Sequence, residues 1–459
     1  MRATMIPILA RTKRAEEKIM AGRAAWDELL RLSIDAFYDG RLAEGRLACD
    51  RLLNLPDLPP EVRAVTHANQ VFYAPTLGEI VPSLREAPLL VPVRAGWTRF
   101  NPTVVADGDG WLVLLRTSND RYEPPDTHIV TDAGPDVRTA YLLVPCDADL
   151  RPIGEPRPVA DLTDGAGRAP FPVQDYEDCR LVRLGARWLA AAATRDRNPH
   201  GICQIALLDF DAARPAFANL RLLSPATPGL YERNWMPVVA DGALAFVYGL
   251  APTAVLACDL DSGGVDLAHI HDAPHLATDL RGGSQLVAVD GGWICLVHDV
   301  IDNEEAGRTY LHRFVRLDGA FRITALSHPF RFRATTIEFA AGLARRGETL
   351  ALTYGVEDRE AWLADLPLAE ALALLRPVAE LAPNGPSAFP FPSGLLAVLE
   401  SHARPAPAAD ADVAVLRPDD VIAVMKSERG ALTAAGRTVR HVDGRAAPQH
   451  VRRETTPRR

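Results

Sequence analysis

The 459-residue chain is poor in the features that identify several common protein classes. It has six cysteines, scattered without any CxxC spacing, and several lie inside apolar runs where cysteine behaves as a small hydrophobe. That argues against a disulfide framework or a structural zinc and fits a reducing compartment. No run approaches the roughly 18 apolar residues needed to span a bilayer. The first ten residues are too weakly apolar for a signal sequence and lead into Arg11, Lys13 and Arg14, so a cytoplasmic protein without a membrane span is expected. A net charge of -9 with no basic face interleaved with aromatics argues against nucleic acid as a partner. His269, His271 and His275 lack a carboxylate-rich frame and read as a polar loop, so no metal and no resident cofactor are expected.

What is present is a motif that recurs five times: a polar or glycine-rich step, an apolar strand, a tight turn and a second apolar strand. The copies begin at Asn101-Pro102, Glu177-Asp178-Cys179-Arg180, Arg233-Asn234-Trp235, Gly282-Gly283-Ser284 and Glu338-Phe339. Hairpins repeated at roughly 50- to 75-residue intervals are the pattern of propeller blades, because one blade cannot bury its own faces. The expected fold is all-β, a five-bladed propeller over residues 90–400. A helical cap over 1–80 precedes it, with Trp26, Leu29, Leu30, Ile34 and Phe37 on one helical face and a break at Asp39-Gly40. Residues 391–396 are expected to return a strand that closes the ring. The Ala-, Pro- and Arg-rich stretch over 401–459 is expected to be disordered and is assigned no function.

In a radial array the first strand of each blade lies nearest the axis, so the residues opening those strands converge. Here they are Arg99, Asn101, Glu177, Asp178, Arg180, Glu232, Arg233, Asn234, Arg281, Ser284 and Glu338. Buried carboxylates and guanidinia must be paired or await a polar ligand, which points to a polyhydroxylated or anionic partner. Within Glu177-Asp178-Cys179-Arg180, a desolvated acid suits general acid catalysis, and an ion pair with Arg180 is the competing structural account. Arg195, in Thr194-Arg195-Asp196-Arg197-Asn198, joins the candidates, although alternating charges at a turn usually form a solvated lattice.

The order and spacing of these motifs, with Trp293 to His298 in the fourth copy and Tyr354-Gly355-Val356-Glu357-Asp358 in the fifth, resemble the β-mannoside phosphorylase family of glycosidases over residues 96–365. The resemblance implies an oligosaccharide or glycoside substrate and an inverting mechanism. In it Asp178 protonates the glycosidic oxygen while inorganic phosphate, a co-substrate, attacks the anomeric carbon. Arg180, Arg195, Arg233 and His298 are the implied phosphate ligands, His298 by its match to the family's Tyr-His-Gly, and Tyr231, Trp235 and Tyr354 are either sugar-stacking faces or ordinary blade packing. Two departures stand out: Cys179 replaces the family's proline, and Val297-His298-Asp299 replaces Tyr-His-Gly. The alternatives are hydrolysis with Glu232 or Glu338 activating water, sugar transfer by a glycosyltransferase of the same fold, and a non-catalytic glycan-binding propeller.

Overall fold

A computed structural model describes residues 25–382, apart from 57, 124–126, 133–135, 164–170, 199–202, 224–231 and 304–306. Three short strands beyond them, Arg404–Pro405, Ala414–Val415 and Val451–Arg453, are also described. The rest of the 401–459 tail, like the strand expected at 391–396, lies outside the described residues.

Each of the five sequence motifs is a hairpin, and each hairpin is the inner pair of an antiparallel blade. Blade 1 runs Thr98–Asp107, Gly110–Ser118, Val137–Cys146 and Arg157–Pro158. Blade 2 runs Tyr176–Leu184, Arg187–Thr194, Gln204–Asp211 and Ala216–Leu222, with Ala160–Asp161 parallel at its edge. Blade 3 runs Met236–Ala240, Ala243–Leu250, Thr253–Cys258 and Val265–His271. In blade 4 the inner strand is split into Arg281–Gly282 and Val287–Val289, both on Gly292–Asn303, followed by Gly307–Asp318, Ile323–Ser327 and Leu375–Pro377. Blade 5 runs Glu338–Arg346, Thr349–Val356 and Glu360–Pro367.

The ring closes through its start. Arg85–Pro88 pairs antiparallel with Glu360–Pro367 as the outer strand of blade 5. This strand lies ahead of residue 90, where the sequence pattern placed the first propeller residue. At the hub, Gln285 of blade 4 donates to Val104 O of blade 1 and accepts from Leu343 N of blade 5, so one amide stitches three blades. Close packing of the inner strands needs glycine: a Cβ on Gly283 would lie 2.6 Å from Leu296 O.

The cap is three helices, α1 (Ala25–Tyr38), α2 (Leu42–Leu53) and α3 (Pro60–Tyr73), plus the single turn α4 (Leu77–Ile80). Gly40, at φ +74°, turns the chain between α1 and α2, and Pro60 opens α3 where a missing N–H costs nothing. Leu52, Leu53, Leu58 and Val62 share one buried cluster with Met236, Val247, Leu276, Leu286 and Val297, so the cap sits on blades 3 and 4. No helix among the described residues is long and apolar enough to cross a membrane.

Candidate functional site

The first strands of blades 1 and 2 each break register at their entrance, between Phe100 and Thr103 and between Glu177 and Arg180. Asn101 and Asp178 sit in those bulges at φ +45° and +51°, and Asn234 takes φ +61° just before the first strand of blade 3. Asn and Asp tolerate the left-handed region better than other residues with a Cβ, which is why the entrances carry them. The bulges turn these side chains out of the sheet and into a hub cavity of about 390 Å³.

Eight of the sequence candidates line that cavity: Asn101, Glu177, Asp178, Arg195, Arg233, Asn234, Arg281 and His298. Asp178 Oδ1 accepts from Asn101 Nδ2 at 2.9 Å and Arg116 Nη1 at 2.8 Å, and its Oδ2 has no hydrogen-bond partner among the described residues. Glu177 is enclosed by cations, with Arg233 at 2.7 Å, Arg116 at 3.4 Å and Arg195 at 3.5 Å. Burial works against the Arg116 cation, but Asp178 and Glu177 outweigh it and push its pKa further up. His298 stacks on Tyr310 with ring centroids 5.1 Å apart. Burial first, then His312 and Arg281, holds its pKa well below the ordinary imidazole range, so the ring is neutral. Arg281, opposite His298 in the sheet register, is exposed and has no ion-pair partner among the described residues.

Seven described candidates do not line the cavity. Arg180 lies beneath it, donating from Nε to Gly283 O at 2.6 Å and from Nη1 to Asp178 O at 2.9 Å, so it braces the Asp178 backbone. The expected pairing of Arg180 with an acidic side chain is replaced by one with Arg116, from the second strand of blade 1. Ser284 is buried between Gln285 O and Leu296 N. Glu338 turns away from the hub and accepts the backbone N–H groups of Phe332, Arg333 and Ala334, while burial pushes its pKa up to about 7 against those donors. Tyr354 is fully buried between Phe332 and Trp362, with its hydroxyl on Glu86. Arg99 is half-buried in the register opposite Thr117. Glu232 and Trp235 hydrogen-bond each other in blade packing, and Tyr231 lies outside the described residues. Around Arg195 the expected solvated lattice is instead buried: Arg197 is 4% exposed and binds Asp161, Asp175 and Thr163.

The cavity also has residues the sequence reading did not single out as site residues: Arg116, Asp120, His128, Arg308, Tyr310 and Asp358. His128 Nδ1 lies 2.7 Å from Asp120 Oδ2, on a hairpin (Asp120–Glu123 and Thr127–Val130) inserted in blade 1. Asp358 occupies the turn between the last two hairpin strands of blade 5 at φ +50°, after Glu357 at φ +53°. Burial raises its pKa to about 6; Asp178 and Asp120 add to the rise, and His128 and Arg116 oppose it. The sequence carried no local signal for it; the structure shows two successive left-handed residues without glycine, a strain that concentrates at functional sites. Among the described residues no group of His, Cys, Asp and Glu is arranged to hold a metal ion.

No protein-family model matches the chain, and no curated protein does. Solved structures do. A β-1,2-mannobiose phosphorylase from Listeria innocua, in complex with β-1,2-mannobiose, is 15% identical with a TM-score of 0.43, covering 64% of this chain and 99% of that one. A glycosyl hydrolase from Bacteroides ovatus is 13% identical with a TM-score of 0.42, covering 70% and 96%. A mannose phosphorylase from Leishmania mexicana, in complex with phosphate ion, is 12% identical with a TM-score of 0.38, covering 66% and 93%.

Proposed function

We propose that the chain is a carbohydrate-active enzyme that cleaves β-linked mannose-type glycosides with inversion, using inorganic phosphate as the attacking group. The observation that carries this reading is the division of labour in the hub cavity. Asp178 presents one doubly hydrogen-bonded carboxyl oxygen and one without a partner among the described residues on one wall, and Arg281, without an ion-pair partner among the described residues, lies beside the neutral His298 on another. With Oδ1 engaged by Asn101 and Arg116, a proton on Asp178 belongs on Oδ2, where it faces the cavity. In the proposed step that proton passes to the glycosidic oxygen as the bond from it to the anomeric carbon breaks. A phosphate oxygen bonds the anomeric carbon from the opposite face, giving a sugar 1-phosphate and a free sugar, and Asp178 regains its proton from solvent. Arginine forks suit the phosphate because each can bind two of its oxygens.

A second reading, hydrolysis, is favoured by Asp358, which shares the cavity with Asp178 and has no hydrogen-bond partner among the described residues. Inverting hydrolases use two carboxyl groups with a water between them. Asp358 therefore replaces Glu232 and Glu338 as the residue proposed to activate water. The experiment is turnover of a panel of β-mannosides with and without phosphate, with sugar 1-phosphate measured as product. Phosphate-dependent sugar 1-phosphate supports phosphorolysis, release of free sugar without phosphate uptake supports hydrolysis, and no turnover of any member overturns both. Asp178→Asn keeps shape and removes the proton, and a loss of at least about a hundredfold in turnover is expected.

A further inference from the structure

The helical cap approaches the cavity-lining strands of blade 4 through His67. His67 of α3 lies between two propeller carboxylates, its Nε2 3.0 Å from Asp279 Oδ2 and its Nδ1 2.6 Å from Asp299 Oδ2. Arg63, one turn earlier, reaches the same Asp279 oxygen at 2.9 Å. Asp279 stands two residues ahead of Arg281, and Asp299 directly follows His298. Arg281 and His298 are register partners and both line the cavity. The strand that carries Arg281 is only two residues long, with Arg281–His298 and Gly282–Val297 as its two register pairs. So short a strand owes its position to what clamps its ends.

The charged groups facing His67 are Asp279 and Asp299 from the propeller and Arg63 from its own helix. Burial works against the imidazolium, but Asp299 and Asp279 outweigh it and hold the ring's pKa at about 9, so both nitrogens carry protons at neutral pH. Burial likewise works against the Asp279 carboxylate, and His67 and Arg63 bring its pKa down to about 2. A neutral ring would leave the two buried carboxylates beside it without the positive charge that offsets them.

We propose that His67 is a positioning residue that ties the helical cap to blade 4 and holds Arg281 and His298 in the geometry that receives an anionic ligand. The cap is then part of the site's second layer and not a separate partner-binding module. Two measurements on the full chain test this. In His67→Gln, amide hydrogen exchange at Arg281–Gly282 and across Leu296–Asp299 is expected to quicken at least about fivefold, with the strands holding Asn101 and Asp178 unchanged. Inorganic phosphate is expected to bind about five- to tenfold more weakly, the usual scale of coupling between linked sites. His67→Arg, which keeps a permanent cation, restores both. Phosphate affinity in the unaltered protein falls as pH rises through about 9, where the ring loses its second proton, and stays flat in His67→Arg.

Unchanged exchange at Arg281–Gly282, or equal loosening of all five blades, overturns the inference. The phosphate arm rests on the phosphorolysis reading and the exchange arm does not. Absence of phosphate binding in the unaltered protein therefore counts against that reading alone, and exchange decides the role of His67. Where His67→Gln fails to fold, Asp299→Asn, which removes one of the two carboxylates, carries the same expectation.

Discussion

Asp358 shows how a single residue trades stability for a poised proton. Its pKa is about 6 in the fold, above the 3.8 of an ordinary aspartate, so the folded chain binds this proton more tightly than the unfolded chain. From pH about 4 to about 6 the unfolded form releases the proton first, and stability falls with rising pH across that window. Above pH 6 the penalty is constant, and below pH 4 it vanishes. Asp358→Asn, neutral at every pH, is therefore expected to stabilise the protein by roughly 1–3 kcal/mol above pH 6 and to change nothing near pH 4. Thermal unfolding at the two pH values measures this, and equal melting temperatures at both would show that the proton is not held. If Asp358 activates water, the same variant loses free-sugar release and with it the activity limb centred near pH 6, while Asp178→Asn abolishes both products.

At the scale of elements, the blade entrances are shaped by their neighbours as much as by their own residues. A Cβ on Gly355, in the second strand of blade 5, would collide with Asn101 Oδ1 and come within 2.7 Å of Asn101 N. Gly355→Ala is expected to cost about 1–3 kcal/mol by overpacking and to dislodge the amide that holds Asp178. Tyr354→Phe beside it removes only the hydroxyl on Glu86, costs about 1 kcal/mol and leaves turnover unchanged, because that ring never reaches the cavity. Paired melting and turnover measurements separate the two variants. The contrast also explains what was legible in the sequence. Hairpins with turn residues such as Gly185, Asp241-Gly242 and Gly291 were readable because φ > 0 at these turns favours those residues. Asn101, Glu177, Asp178, Arg233, Asn234 and Arg281 were found because strand entrances converge wherever blades are radial, and His298 was found only through the family resemblance. Arg116 was hidden by the apolar run Leu112–Leu115 ahead of it, since nothing local says that a guanidinium ending such a run will pair across a blade boundary. Glu338 and Tyr354 occupy plausible chain positions but point away from the hub, Glu338 into three backbone N–H groups and Tyr354 into an aromatic stack. Alternation along a strand gives the face of a side chain; it does not give the loop waiting on the other side.

For the whole molecule the question is whether cap and propeller are one cooperative unit. Asp50 of α2 is fully buried and is held by Arg313 Nη2 at 2.6 Å, His328 Nδ1 at 2.5 Å and Gln70 Nε2 at 3.0 Å. Arg313 lies in the second long strand of blade 4 and His328 directly follows its next strand, so this carboxylate lies across the same interface as His67. Burial works against the Asp50 charge, and Arg313 and His328 outweigh it and bring its pKa below the ordinary value. A carboxyl with a lowered folded pKa contributes stability above its unfolded pKa near 4, and that contribution is lost as pH falls through the folded value. Removing one partner of a buried charge network leaves the others uncompensated, so Asp50→Ala is expected to cost about 3–5 kcal/mol at neutral pH. The apolar cluster that Leu52, Leu53 and Val62 share with Met236, Leu286 and Val297 runs unbroken through the interface. The variant is therefore expected to lower a single melting transition and not to split it. A calorimetric trace with a separate low-temperature peak for the helices would show that the cap folds apart from the blades, and that His67 and Asp50 join two units instead of holding one together.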